Sequence, residues 1–361
     1  MPMSNGRHTG GASPAGRRMV RLIAFLGCAA LLGGPVRATG QEYEAPRTQW
    51  GHPDLQGNWT NATMTPFERR PGLDPAYSQA QVDSIEGREQ QVIEQGSRAT
   101  DPDRDAPQAG NVGGYNQVYF DRGDRVARVN GEPRTSLVTF PEDGRIPALT
   151  EWGQRRLDDY RAFRDQFGDS DHPELRTFSD QCLTSFGSNA GPPILPNNFY
   201  NNNYTIVQTR DHVMILAEMV HDVRIIRLAD QEPQPDDVRP WFGDSRGHWE
   251  GETLVVETTH FYDRQVFNEE FSLRLHSPNA KVVERFTRTD PNTILYEFEF
   301  DDPETYTERW GGQVPMRRFE DFLFEYACHE GNYALEGILR GARYQESLEN
   351  GQSDRDDGSD R

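Results

Sequence analysis

Lys281-Val282-Val283-Glu284-Arg285-Phe286-Thr287-Arg288-Thr289, a turn at Asp290-Pro291-Asn292, and Thr293-Ile294-Leu295-Tyr296-Glu297-Phe298-Glu299-Phe300 together decide the fold class. Apolar and polar residues alternate on both sides of a short connection rich in turn formers, which is the pattern of a β-hairpin with one buried face. The alternation is plainest in Tyr296-Glu297-Phe298-Glu299-Phe300. Working outward, the spacing predicts further short strands at Tyr204–Thr209, His212–Met219, Val223–Leu228, Thr253–His260, Tyr306–Trp310 and Phe322–Cys328. About eight consecutive antiparallel runs predict a mainly β chain, with a lipocalin-like barrel or curved sandwich over residues 182–345. Ala334–Tyr344 reads as a closing helix and residues 346–361 as a disordered acidic tail.

Residues 41–181 read differently. Trp50 to Thr60 is an irregular arm with aromatic anchors, and Ser78–Gln95 is a helix opened by a Ser78-x-x-Gln81 capping box. Residues 97–113 form a polar connection, and Tyr115–Phe120 and Thr135–Phe140 are short strand candidates. A second helix runs from Thr150 to about Phe167, with Trp152, Leu157, Tyr160 and Phe163 on its apolar side.

The chain has 361 residues, 38 basic and 58 acidic side chains, a net charge of −20 and 34% hydrophobic residues. So acidic a chain repels polyanions, which argues against nucleic-acid binding. Lys281 is the only lysine, which disfavours Schiff-base chemistry and lysine-dependent phosphate loops. Arg17-Arg18-Met19-Val20-Arg21, the apolar run Leu22–Leu32 and the small residues up to Ala38 and Gly40 predict a signal segment over residues 1–40. The apolar run is too short to span a membrane. The expected location is periplasmic or extracellular. With Cys28 removed, Cys182 and Cys328 remain, and in an oxidising compartment they are expected to form a disulfide.

Two stretches carry most of the motif content: Trp241 to Phe261, containing Gly243-Asp244-Ser245-Arg246-Gly247-His248-Trp249-Glu250-Gly251, and Tyr326-Ala327-Cys328-His329-Glu330-Gly331-Asn332-Tyr333. At these residues, with Pro53-Asp54-Leu55-Gln56-Gly57 and Tyr200-Asn201-Asn202-Asn203-Tyr204, the chain resembles a family of uncharacterised exported bacterial proteins. The resemblance implies export and brings no catalytic residue with it.

From the residues themselves, Glu218, His221 and Arg224 straddle a turn between predicted strands, and His329 follows the last one. If these ends meet at one barrel mouth, they supply an imidazole base, a carboxylate to orient it and an arginine for a substrate anion. Trp241, Asp244, Arg246, Trp249 and Glu330 are the candidate ligand-binding residues. Asp244 is also readable as a turn residue paired with Arg246. No HxH or HExxH spacing points to a metal, and no cofactor is implied. The leading expectation is an exported barrel that binds a small, partly apolar ligand; the alternatives are an acid/base enzyme using the same pocket and an envelope protein that binds another protein.

Overall fold

The computed structural model describes residues 43–99, 103, 120–185, 191–196, 199–228, 232–262 and 276–349. The signal segment, most of the 97–113 connection, residues 115–119 of the strand candidate before Phe120, and the tail from 350 on lie outside the described residues.

Nine strands close into a barrel. They are β1 (Gly57–Thr60), β5 (Asn203–Gln208), β6 (His212–Ala217), β7 (Val223–Leu228), β8 (Asp244–Glu250), β9 (Thr253–Thr259), β10 (Lys281–Asp290), β11 (Thr293–Asp301) and β12 (Trp310–Arg318), in that order around the ring, with β12 pairing back onto β1. A ring made only of antiparallel neighbours needs an even number of strands. The odd count is resolved by one parallel pair, β7 with β8, whose connection must cross from one end of the barrel to the other. β4 (Val138–Phe140) adds to the other side of β12, and β2 (Arg128–Val129) and β3 (Glu132–Pro133) form a separate two-stranded ribbon.

The period-2 reading assigns the faces correctly. On β11, Ile294, Tyr296, Phe298 and Phe300 are buried while Glu297 and Glu299 face outward. The inward residues of the other strands, among them Trp59, Tyr204, Ile206, Ile215, Ile226, Val256, Phe286, Trp310 and Met316, fill the interior. Aromatic packing is dense around Trp310, which lies 5.1 Å from Phe300 and 5.6 Å from Phe298. Ile194 and Leu195, outside any strand, insert into the same core.

Several expectations change. β1, read as an irregular arm, is a barrel strand. Asp244, read as a turn residue, opens a barrel strand, β8. Tyr306–Trp310 and Phe322–Cys328 are not strands; the last barrel strand is Trp310–Arg318, and Phe322–Cys328 is an irregular strap. The strand expected to run to Met219 stops at Ala217, because the chain turns through left-handed Val220 and His221.

Helix α1 (Gln79–Gly96) begins with the expected capping box, Ser78 and Gln81 bonding reciprocally. Helix α2 (Glu151–Arg164) buries Leu157 but leaves Tyr160 and Phe163 exposed. Helix α3 (Ala334–Glu349) runs past Tyr344 and so takes in the first residues of the expected tail.

Candidate functional site

The alternating strand directions place the β6–β7, β9–β10 and β11–β12 turns at one end of the barrel, called lower here. Glu218 and His221 lie on the lower β6–β7 turn. His329 reaches them because the Cys182–Cys328 disulfide, with Cα atoms 5.7 Å apart, holds the strap against this end. The ring centroids of His221 and His329 are 6.3 Å apart, and both side chains are exposed. Glu218 is buried and fully engaged: it accepts from Asn203 Nδ2 at 2.8 Å and from the Phe324 amide at 3.0 Å. It anchors the strap and does not orient either imidazole.

The backbone at this end is unusual. Val220, His221, Cys182, Asn201 and His260 all have φ between 50° and 61°, where non-glycine residues are uncommon and a β-branched residue is an outlier. Such strain persists only where the surroundings enforce it.

Arg224 points the other way, into the barrel. Its Nη2 donates to both oxygens of Glu284 on β10, at 3.0 and 2.9 Å, and the two side chains are 2% and 0% exposed. Tyr296 Oη donates to Glu284 Oε1 at 2.9 Å and accepts from the Ile194 amide at 2.8 Å. Burial, followed by the neighbouring Glu284 charge, pushes the Tyr296 hydroxyl well above its ordinary pKa. Among the described residues, Arg224 Nε and Nη1 have no acceptor. An unmade hydrogen bond in so apolar a setting costs about 1–3 kcal/mol, so these two nitrogens call for an acceptor beyond the described protein atoms.

The candidate ligand-binding residues do not converge. Trp241 packs at the lower end against Phe178 and Tyr262, at 5.4 and 5.3 Å. Trp249 sits at the opposite end, stacked on His52. Asp244 pairs with Arg227 at 2.7 Å and accepts the Gln234 amide, while Arg246 pairs with Glu257 at 3.0 Å. The expected Asp244–Arg246 pair is therefore replaced by two pairs to neighbouring strands. Glu330 is exposed. Among the described residues, no three His, Cys, Asp or Glu side chains gather to hold a metal ion.

Glu284 and Tyr296 were absent from the sequence-derived candidates. The signal was present: Glu284 stands between Val282 and Phe286 in the inward phase of β10, where a charge has no reason to be unless it is paired.

The chain matches no known family, no functionally described protein and no solved structure.

Proposed function

We propose that the barrel binds a small molecule inside, with a carbonyl or similar acceptor on Arg224 Nε and Nη1 and a short aliphatic part against the surrounding core. One observation carries this reading: the two buried donors of Arg224 without acceptors. Buried polar groups in native proteins are almost always satisfied, so these nitrogens are where an outside acceptor belongs. Glu284 already balances the guanidinium, so a neutral acceptor avoids adding an uncompensated buried charge. Because core side chains fill the interior, such a ligand is limited to a few heavy atoms and enters by displacing those side chains locally. We further propose that the protein works outside the cytoplasm, a reading supported by the Cys182–Cys328 disulfide and by the arginine-led apolar segment of residues 17–38. No described helix is long and apolar enough to cross a membrane.

The test compares native and denaturing mass spectra of the protein purified from its own source, alongside thermal shifts with isobutyramide and isobutyrate. A noncovalent mass lost on denaturation, or stabilisation by isobutyramide that disappears in the Arg224→Met/Glu284→Leu double variant, supports the reading. A bare mass with no stabilisation by either probe, together with ordered waters satisfying Nε and Nη1 in a crystal structure, overturns it.

A further inference from the structure

A cleft of about 420 Å³ opens on the outer face of the barrel, over β10, β11 and β12, with β4 as one wall. Its shape follows from strand register. Val283, Glu299, Gly311 and Phe140 are successive cross-strand partners and form one row across four strands. Arg285, Glu297 and Gln313 form the parallel row beside it. Gly311 is the gap in the first row, since a Cβ there would lie 2.2 Å from the Phe298 carbonyl oxygen. Glu299 and Phe140 therefore face each other across two strand spacings, about 10 Å.

The chemistry of the walls is mixed in a particular way. Phe140 is 44% exposed and offers a bare ring. Opposite it, Glu297 is held by Gln313 Nε2 at 2.7 Å and Glu299 by Arg309 at 2.6 Å. Among the described residues, Arg285 is held by Glu250 at 2.8 Å and Glu299 by Arg309, which leaves Glu297 as the one uncompensated charge of the lining, so the cleft disfavours anions. A purely apolar ligand would strip water from two carboxylates without replacing its hydrogen bonds. A hydroxyl group both donates and accepts, and so fits carboxylates, a guanidinium and an amide alike. A sugar ring carries hydroxyls around its edge and C–H groups on its faces, which suits the polar wall and the Phe140 ring at the same time.

We propose that this outer cleft binds a neutral saccharide, with one ring face against Phe140 and its hydroxyls on Glu297, Glu299, Arg285 and Gln313. The site is separate from the barrel interior and does not depend on the ligand proposed there.

Saturation-transfer NMR and calorimetry of the full chain with cellotriose, maltotriose and N,N′,N″-triacetylchitotriose at millimolar concentration test it. At least one trisaccharide is expected to bind. Phe140→Ala should weaken that binding about tenfold or more, Phe140→Trp should preserve it, and Arg224→Met/Glu284→Leu should leave it unchanged. Because Phe140 is 44% exposed and lies outside the barrel core, its variants are expected to keep the fold, which circular dichroism checks. Absence of transfer to all three sugars, or binding that Phe140→Ala does not alter, overturns the proposal.

Discussion

Arg224 and Glu284 form a costly pair, because both charges are removed from water and, among the described residues, Nη2 alone of the guanidinium nitrogens has an acceptor. Glu284→Gln removes the compensating charge and is expected to destabilise the protein by about 3–5 kcal/mol in urea titration. Replacing both, as Arg224→Met with Glu284→Leu, is expected to leave stability unchanged or raise it, since apolar side chains of similar volume often serve a core as well. A double variant as unstable as the single one would show that the pair is needed for folding. Tyr296 gives a second test. Its hydroxyl and that of Tyr204 are both raised by burial, so both stay neutral in the fold at pH values where an unfolded tyrosine ionises. The stability this contributes is fully present below about pH 10 and is lost as pH rises towards the folded values. Ultraviolet titration should find that Tyr204 and Tyr296, among the 13 tyrosines, do not ionise until the chain unfolds. At this scale the sequence was partly legible. Arg224 could be singled out because it stands beside a turn, but its partner lies 60 positions away, and only the inward phase of β10 hinted at it. Asp244 and Arg246 were mispaired because neighbouring opposite charges suggest each other, whereas strands supply Arg227 and Glu257 from the next strand over.

Among the elements, the β10–β11 hairpin was readable almost residue by residue, because one face is core and the other is water. β12 was not. Gly311, Gly312 and Pro315 all argue against a strand, yet here each fits. The glycines allow close backbone approach to Phe298 and Leu137, and Pro315 stands where β12 has a partner on the β11 side alone, between its pairings with β4 and β1. Gly311→Ala is accordingly expected to disrupt the β4–β12–β11 contact and lower the melting temperature, while Gly131→Ala, with nothing within 4 Å of its added Cβ, should be felt only through its left-handed backbone. The β6–β7 turn offers the opposite experiment. His221 is exposed and held at φ 50°, so His221→Gly relieves a left-handed backbone and should stabilise by about 1 kcal/mol in thermal unfolding. A gain of that kind would mean that the native histidine is retained for something other than stability. A loss would mean that the ring itself is holding the strap.

For the whole molecule, the barrel class was legible from strand count and alternation, while the closure was not. β1 has four residues, a turn-rich stretch around Trp50 before it and no long alternation, so nothing local marks it as the strand that completes the ring. The disulfide was foreseen from cysteine arithmetic. It joins residues separated by 146 positions, and reducing it should cost roughly 2–5 kcal/mol in denaturant titration. Hydrogen exchange at the Phe324 amide should then accelerate, because the covalent link that fixes the strap at Cys328 is gone. If that amide stays protected after reduction, the strap is held by its own packing. The ring closes where Trp59 meets Arg318, about 260 residues later in the chain. At a synthesis rate of about 5–20 residues per second, this leaves an interval of about 13–52 s in which β1 has been made and its closing partner has not. Throughout that time the growing sheet has unpaired margins able to join a neighbouring copy, so the hazard of aggregation belongs to the unfinished chain, and whatever shields it must act before the ring exists.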